Sequence, residues 1–301
     1  MLNAAKEPPM GLAIASQSAD FWRRMAPELT ISNWIDSNDL KCTGAQLQAN
    51  RARLVDDGYL HLKQPGIDAP YATIEKVMRR IVDAGMPAAF IGVYDEVWEI
   101  AAQLQSVLQG CFGGDFAMVP DFWASFSESG HRGVAAHRKR PGTALFRDHT
   151  PKSLSVWVPV TNATVENGCI YIVPAKLDKN YASAVSDRAD AHLQCIRALP
   201  AQSGDVLIWT GEAYHWKAVS SRHSGDGPLL SLSWEFQSMS AAPVAGFLVD
   251  CFPQVSFEDR LGLLAHQMPQ HRNEYSGSPV WRAVQQTLSN RFPVAPRFDH
   301  V

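Results

Sequence analysis

Residues 133–174 decide the fold, and they read GVAAHRKRPGTALFRDHTPKSLSVWVPVTNATVENGCIYIVP. The stretch carries a pair of apolar strand segments, with His137 at their leading edge. A second histidine, His215, follows 78 residues later at the exit of another strand segment. A β-barrel gathers side chains at its mouth from strands that are far apart in sequence. We therefore predict that these two histidines meet at one site.

The strand pattern is clearest at 153–160. Leu154, Val156 and Val158 alternate with Ser153, Ser155 and Trp157, as expected for a strand with two different faces. Glu166-Asn167-Gly168 predicts a turn before the answering strand. In chain order, the predicted strands are 59–62, 116–126, 153–160, 169–173, 206–209 and 229–236.

Helical periodicity flanks this strand series on both sides. Apolar residues recur at helical spacing, and Asp56-Asp57-Gly58 ends the first long helix. Strands between two groups of helices predict a mainly β fold, a β-sandwich or jelly roll buttressed by N- and C-terminal helices. The predicted helices are a short one with a turn within 20–36, then 43–54, 74–82, 94–108, 257–266 and 280–288.

Size and composition narrow the class of protein. With 301 residues and 46% hydrophobic content, we expect one domain: an N-terminal arm (1–42), a core with its helical buttress (43–240) and a C-terminal helical extension (241–301). The net charge of −3 and the absence of a basic stripe argue against nucleic acid, so we expect a small-molecule partner.

Cysteine usage and hydropathy bear on the compartment. The five cysteines form no CxxC pair, which argues against a disulfide framework and predicts a reducing compartment. The first 21 residues make a poor signal peptide, and no run approaches the roughly 18 apolar residues of a membrane span. We expect a cytoplasmic protein without membrane contact.

Several short motifs together resemble the phytanoyl-CoA dioxygenase family, from about residue 43 to residue 237. They are Asp57-Gly58-Tyr59, PKSLSVW at 151–157, the turn 166–168 followed by a strand that ends before Pro174, Gly204-Asp205, and His215. The resemblance implies a double-stranded β-helix (jelly roll) and oxygenase chemistry that depends on Fe(II) and 2-oxoglutarate. It also implies a metal site made by an HxD motif and a distant histidine, with an arginine on the last core strand for 2-oxoglutarate.

Two of these functional positions differ in this chain. His137 and His215 carry over as metal ligands, but Lys139 stands where the family has the ligand aspartate. Leu229 or Leu230 stands where the arginine is expected. An iron site of two histidines and one carboxylate would leave three coordination positions open for the keto acid and O₂.

The cost of Lys139 is large enough to affect metal binding. A lysine ammonium about 4 Å from Fe(II) would be repelled by roughly 8 kcal/mol at an effective dielectric constant near 20. A lysine of ordinary pKa needs about 4 to 5 kcal/mol to become a neutral ligand at pH 7, less if burial lowers its pKa. Otherwise the ammonium turns away and water, chloride or a carboxylate such as Asp148 fills the third position.

The cosubstrate position has its own candidates. Arg138, Arg140, Arg147 and Arg222 are the cations that could replace the missing arginine. Trp157 is a candidate for lining the pocket, which we expect between the two sheets and bordered by His137, Lys139, Trp157 and His215.

Three functions stay open at this point. The first is a 2-oxoglutarate-dependent oxygenase that acts on a small metabolite at a variant iron centre. The second is metal-independent isomerisation, cyclisation or elimination, with Lys139 as a general base or as a nucleophile of depressed pKa. The third is a non-catalytic binding protein. The C-terminal helices could pair two copies of the chain in a homodimer.

Overall fold

The computed structural model describes residues 9–35, 38–183, 192–250, 252, 255–271 and 279–291. Cys251 and residues 292–301 of the C-terminal extension lie outside this part of the chain. The described strands form two antiparallel sheets with a cavity between them. In the described residues, no helix combines the length and the apolar character needed to cross a membrane.

The larger sheet has the strand order β1-β7-β4-β9-β2, and the smaller has the order β3-β8-β5-β6. From β2 onward the chain crosses between the sheets, so that strands distant in sequence become neighbours. This is the predicted double-stranded β-helix. The strand bounds are β1 Tyr59–Leu62, β2 Phe116–Ser127, β3 Val134–His137, β4 Ser153–Pro159, β5 Ile170–Val173, β6 Arg197–Leu199, β7 Val206–Thr210, β8 Tyr214–Lys217 and β9 Leu229–Ser238.

Helices cover the outer face of the larger sheet. Apolar residues of β4 and β9 share one hydrophobic cluster with the flanking helices, which include both the N-terminal arm and the C-terminal helices. The helix bounds are α1 Pro9–Ala15, α2 Ala19–Met25, α3 Gly44–Asp57, α4 Tyr71–Asp83, α5 Asp95–Ala102, α6 Gln105–Phe112, α7 Phe257–Gln267 and α8 Pro279–Arg291.

The two ends of α3 follow from its capping residues. Thr43 forms a capping box with Gln46 at the start of α3, and Gly58 ends that helix with φ of 77°. The single helix predicted at 94–108 is wrong, because the chain breaks between α5 and α6. There the Gln103 side chain bonds the backbone of Asp68 instead of lying along a continuous helix.

The two faces of β4 are both buried, for different reasons. Its apolar face packs against the helices, as the alternation predicts. Its other face, with Ser155 and Trp157, lines the cavity between the sheets. A polar strand face usually meets water, so its burial marks the position of the cavity.

The sequence pattern did not predict three short strands, β3, β6 and β8. His215 lies inside β8 rather than at the exit of β7. At the start of β3, Gly133 adopts φ of 70° where any Cβ would clash with the carbonyl oxygen of Lys217. This close approach holds β3 against β8.

Candidate functional site

Strands β3 and β8 bring the two predicted histidines together. His137 and His215 are opposite each other in the strand register, with ring centroids 4.6 Å apart. The chain between them forms four other strands, so the meeting follows from the sheet topology. The resemblance anticipated this pairing.

Both imidazoles are held in the same tautomer. Nδ1 of His137 lies 2.9 Å from the carbonyl oxygen of Ala135, and Nδ1 of His215 lies 2.9 Å from that of Ala213. A carbonyl oxygen only accepts, so each Nδ1 carries the hydrogen and each Nε2 keeps its lone pair. Metal-ligating histidines are commonly oriented in this way.

His215 is a neutral group at physiological pH. Burial, together with the nearby charges of His137 and Lys139, lowers the pKa of His215 to about 3. Such a low pKa makes the ring a ligand or a hydrogen-bonding group and a poor general base near pH 7.

Lys139, which the sequence analysis expects at the position of a ligand carboxylate, is held by two acids. Its Nζ lies 2.5 Å from Oδ2 of Asp121 and 3.2 Å from Oε2 of Glu235. Arg140 donates two hydrogen bonds to the same Glu235 carboxylate, from Nε to Oε1 at 3.1 Å and from Nη2 to Oε2 at 2.9 Å. Two cations and two carboxylates thus form a cluster whose formal charges cancel, which we call the Lys139 cluster.

The Lys139 cluster argues against the predicted metal-independent chemistry, which requires a lysine of depressed pKa. Burial alone would lower the pKa of Lys139, but Asp121 and Glu235 outweigh it and the pKa is raised. The depressed pKa that a lysine base or nucleophile needs is therefore absent. The prediction of a Lys139 activated by a low pKa is wrong, because the sequence did not show its two carboxylate partners.

A three-ligand iron centre fits this site only in part. The histidines offer two preoriented Nε2 donors, but the residue expected at the third ligand position, Lys139, is an ammonium tied to two carboxylates. Across the described residues, no three His, Cys, Asp or Glu side chains are grouped as a metal site. The usual facial triad does not fit the residues present.

The predicted substitute cations have other contacts. Arg138 is fully buried, with a guanidinium nitrogen 2.6 Å from Asp178 and another 2.5 Å from the carbonyl oxygen of Glu212. Arg140 is committed to Glu235 in the Lys139 cluster. Arg222 is exposed and lies along Gly130. These contacts do not support the predicted role of any of them in cosubstrate binding.

Asp148 and Arg147 lie at a separate surface depression. Asp148 is exposed, and its carboxylate accepts hydrogen bonds from the backbone and hydroxyl of Thr150. The Asp148 carboxylate is thus part of a local turn, and the structure does not bring it to the histidines.

The cavity has a volume of about 180 Å³, compared with the roughly 10 to 15 Å³ that one water needs on the same measure. Trp157, Trp209 and His215 line it together with Lys139. Inward-facing serines on β2, β4 and β9 add hydroxyls, namely Ser125, Ser127, Ser155, Ser231 and Ser233.

Of the two leucines at the expected arginine position, Leu229 is the one that faces the space between the sheets. Leu229 packs in the cluster between the sheets, whereas Leu230 packs with the helices. Lys217, which the sequence analysis did not single out, also lines the cavity. It lies two residues after His215, so strand alternation already put both on one face.

The phytanoyl-CoA dioxygenase (PhyH) family model matches residues 95–218, a stretch that contains both histidines and Lys139. Over this stretch the chain is similar to the phytanoyl-CoA dioxygenase family. The comparison with curated proteins gave no match. The family match confirms the resemblance.

Solved structures support the same fold. EctD from S. alaskensis, in its apo form, is 15% identical with a TM-score of 0.51 over 76% of this chain and 90% of that one. The non-heme monooxygenase ThoJ is 13% identical with a TM-score of 0.51, over 80% and 100%. The epimerase SnoN, solved with Fe3+, alpha ketoglutarate and nogalamycin RO, is 16% identical with a TM-score of 0.50, over 71% and 96%. At these identities the likeness concerns the fold.

Proposed function

We propose that this protein binds a small organic molecule between the two sheets of a phytanoyl-CoA dioxygenase fold, without the family's three-ligand iron centre. One observation carries the proposal: the ammonium of Lys139, the residue expected at the position of the third metal ligand, is held by Asp121 and Glu235. The tryptophan- and serine-lined cavity supplies the binding volume.

The energetics favour the ion pair over a metal in that position. A divalent ion would have to displace the ammonium from two carboxylates, and breaking a buried ion pair costs about 3 to 5 kcal/mol. If the ammonium stayed, the ion would meet the repulsion of roughly 8 kcal/mol expected at about 4 Å. Both routes weaken iron binding relative to a site with an aspartate.

A variant oxygenase is the second candidate, and one observation favours it. The two imidazoles present Nε2 in the tautomer that a metal requires. In this alternative His137 and His215 hold Fe(II), and 2-oxoglutarate acts as cosubstrate for oxidation of a small metabolite.

An anaerobic titration with Fe(II) and 2-oxoglutarate separates the two candidates. The visible charge-transfer band of a chelated keto acid should be absent from the wild-type protein. Lys139→Asp supplies the missing ligand and should bind Fe(II) more tightly than the wild type. A saturable band in the wild type that is lost in His215→Ala would refute the proposal and establish the oxygenase candidate.

A control for the chelate band uses a lysine outside the site. Lys63 is exposed and belongs to a different surface depression, so Lys63→Asp introduces the same charge change elsewhere. If Lys63→Asp raised Fe(II) affinity as much as Lys139→Asp, the effect would be one of net charge and would not support a local role for Lys139.

A further inference from the structure

Two tryptophans on the inner face of the larger sheet lie on either side of one small residue. Ser233 of β9 is the register partner of Trp123 on β2 and of Trp157 on β4. All three residues line the cavity. The Ser233 hydroxyl donates to the carbonyl oxygen of Trp123 at 3.0 Å, so it is already paired. The three residues therefore form one row across the sheet, with a short side chain between two indoles.

The spacing of the strands sets the width of the gap over Ser233, which we call the ring slot. Neighbouring strands lie about 4.8 Å apart, so the backbones of Trp123 and Trp157, two strands apart, are separated by about 9 to 10 Å. A planar ring stacked between two indoles needs about 7 to 8 Å, twice the contact distance between carbon atoms. The whole cavity of about 180 Å³ is also large enough, because an apolar cavity of about 150 Å³ holds benzene.

Contacts from the C-terminal helices hold one wall of the ring slot. The imidazole of His271 stacks on the indole of Trp123, with ring centroids 3.8 Å apart and planes inclined by 4°. Trp281 of α8 meets the same indole edge-on, with centroids 6.0 Å apart. These contacts fix the plane of the Trp123 indole, and they show that a flat ring packs on it.

A donor without a partner lies beside the ring slot. Trp209 on β7 is 6% exposed and lines the cavity, and within the described residues its indole N–H has no hydrogen-bond partner. Ser155 is the register partner of both Trp209 and Glu235, and Glu235 shares the inner face of β9 with Ser233. The small Ser155 side chain thus leaves room between the ring slot and Trp209. A buried indole N–H usually has a partner, and an acceptor atom of a ligand would supply it.

We infer that the cavity takes a planar aromatic ligand with one hydrogen-bond acceptor, its ring between the indoles of Trp123 and Trp157 and its acceptor at the indole N–H of Trp209. His271 follows α7 and backs Trp123 from beyond β2, the edge strand of the larger sheet. Stacking of aromatic rings adds to the gain from burial, so the ring slot favours a flat ring over a saturated ring of the same size. This inference rests on the proposed function for the cavity as a ligand site, and it names the class of ligand.

Calorimetric titration of the protein with two matched ketones, in the presence of a chelator, tests the ring slot. Acetophenone has a planar ring, whereas cyclohexyl methyl ketone carries the same acceptor on a puckered ring. Acetophenone should bind at least about fivefold more tightly, because the saturated ring loses two ring stacks. Equal affinities for the two ketones, or no binding of either, would overturn the inference.

Trp209→Phe tests the position of the acceptor. This variant keeps an aromatic side chain and removes the N–H, so it should weaken acetophenone binding by about threefold to tenfold. Ethylbenzene has the ring without the acceptor, and its affinity should change by less than about twofold in the same variant. An equal loss for both probes would overturn the assignment of the acceptor to Trp209.

Variants of the walls and floor test the position of the ring. Trp157→Leu should weaken acetophenone binding by about fivefold or more, whereas Trp34→Leu, at a tryptophan that is 53% exposed, should leave it unchanged. Ser233→Val keeps both indoles and fills the ring slot, so it should weaken binding at least about tenfold even if Trp157→Leu is poorly folded. His271→Ala should weaken binding because Trp123 loses its support; tighter binding would put His271 in the slot and overturn the inference.

This inference and the proposed function fail in different ways. If both ketones bind alike and the wild type shows no Fe(II)–2-oxoglutarate band, the ring slot is overturned and the proposed function stands. A saturable band that is lost in His215→Ala refutes the iron-free proposal whatever the ketones do. Preference for acetophenone in the presence of the chelator, together with no band, supports both.

Discussion

Replacing Lys139 by methionine tests whether the lysine stabilises the fold as part of an ion cluster. Methionine keeps most of the side-chain length and removes the ammonium. Glu235 would keep its paired contacts to Arg140, but Asp121 would lose the cation 2.5 Å away. The variant therefore leaves one largely buried carboxylate without its cation.

The expected loss in the free energy of unfolding is about 2 to 3 kcal/mol near pH 7. Breaking a buried pair costs about 3 to 5 kcal/mol. The lower figure applies here because the Lys139 side chain is 27% exposed and that of Asp121 is 19% exposed, so water screens part of the loss.

The loss should depend on pH in a defined direction. Burial raises the pKa of Asp121, but the charge of Lys139 outweighs it, so the pKa lies below its ordinary value. A depressed pKa contributes stability above the unfolded value of about 3.9, and this is lost as the pH falls through the folded pKa. Without Lys139, burial raises the pKa of Asp121 instead. The difference between the two proteins should shrink as the pH falls towards about 4.

Urea unfolding at about pH 7 and about pH 4.5 measures both effects. Adding Asp121→Asn to Lys139→Met should recover about 1 kcal/mol at pH 7, because an amide needs no cation. Lys63→Met, at an exposed position, should change the unfolding free energy by less than about 0.5 kcal/mol. A Lys139→Met variant as stable as the wild type at pH 7, or equally destabilised at both pH values, would refute the assigned pairing.

Two further substitutions test the surroundings of the site. Arg138→Met should lower the free energy of unfolding by about 3 to 5 kcal/mol, because the fully buried Asp178 carboxylate loses its cation. Arg222→Met, at an exposed position, should cost less than about 0.5 kcal/mol. Equally small losses for both variants in urea unfolding would contradict the buried pairing. Gly133→Ala should lower the free energy of unfolding by about 2 kcal/mol or more, because φ is 70° and the added Cβ meets the carbonyl of Lys217. The Cβ added in the control Gly114→Ala meets no atom within 4 Å. Equal thermal stabilities of the two alanine variants would disprove the close approach.

Local pattern predicted much of the fold. The alternation at Leu154, Val156 and Val158 needs only the two-residue period of a strand, and the structure shows that face packed on the helices. The capping residues of α3 acted through hydrogen bonds within a few positions of the chain. Such features are visible in sequence because their physical causes are local.

The family motifs predicted the histidine pair as well. His137 and His215 meet because β3 and β8 are neighbours, a property of the topology that the resemblance implied. Lys217 was also within reach of the sequence, because it shares the inward face of His215.

The sequence by itself determined six strands of the jelly roll, the two faces of β4 and the presence of a lysine where an aspartate was expected. Only the tertiary structure decided what that lysine does. Asp121 lies on β2 and Glu235 on β9, and these strands reach Lys139 through the folding of two sheets over one cavity. Ion pairs between distant strands leave no periodic signal, because their energy depends on spatial separation and burial.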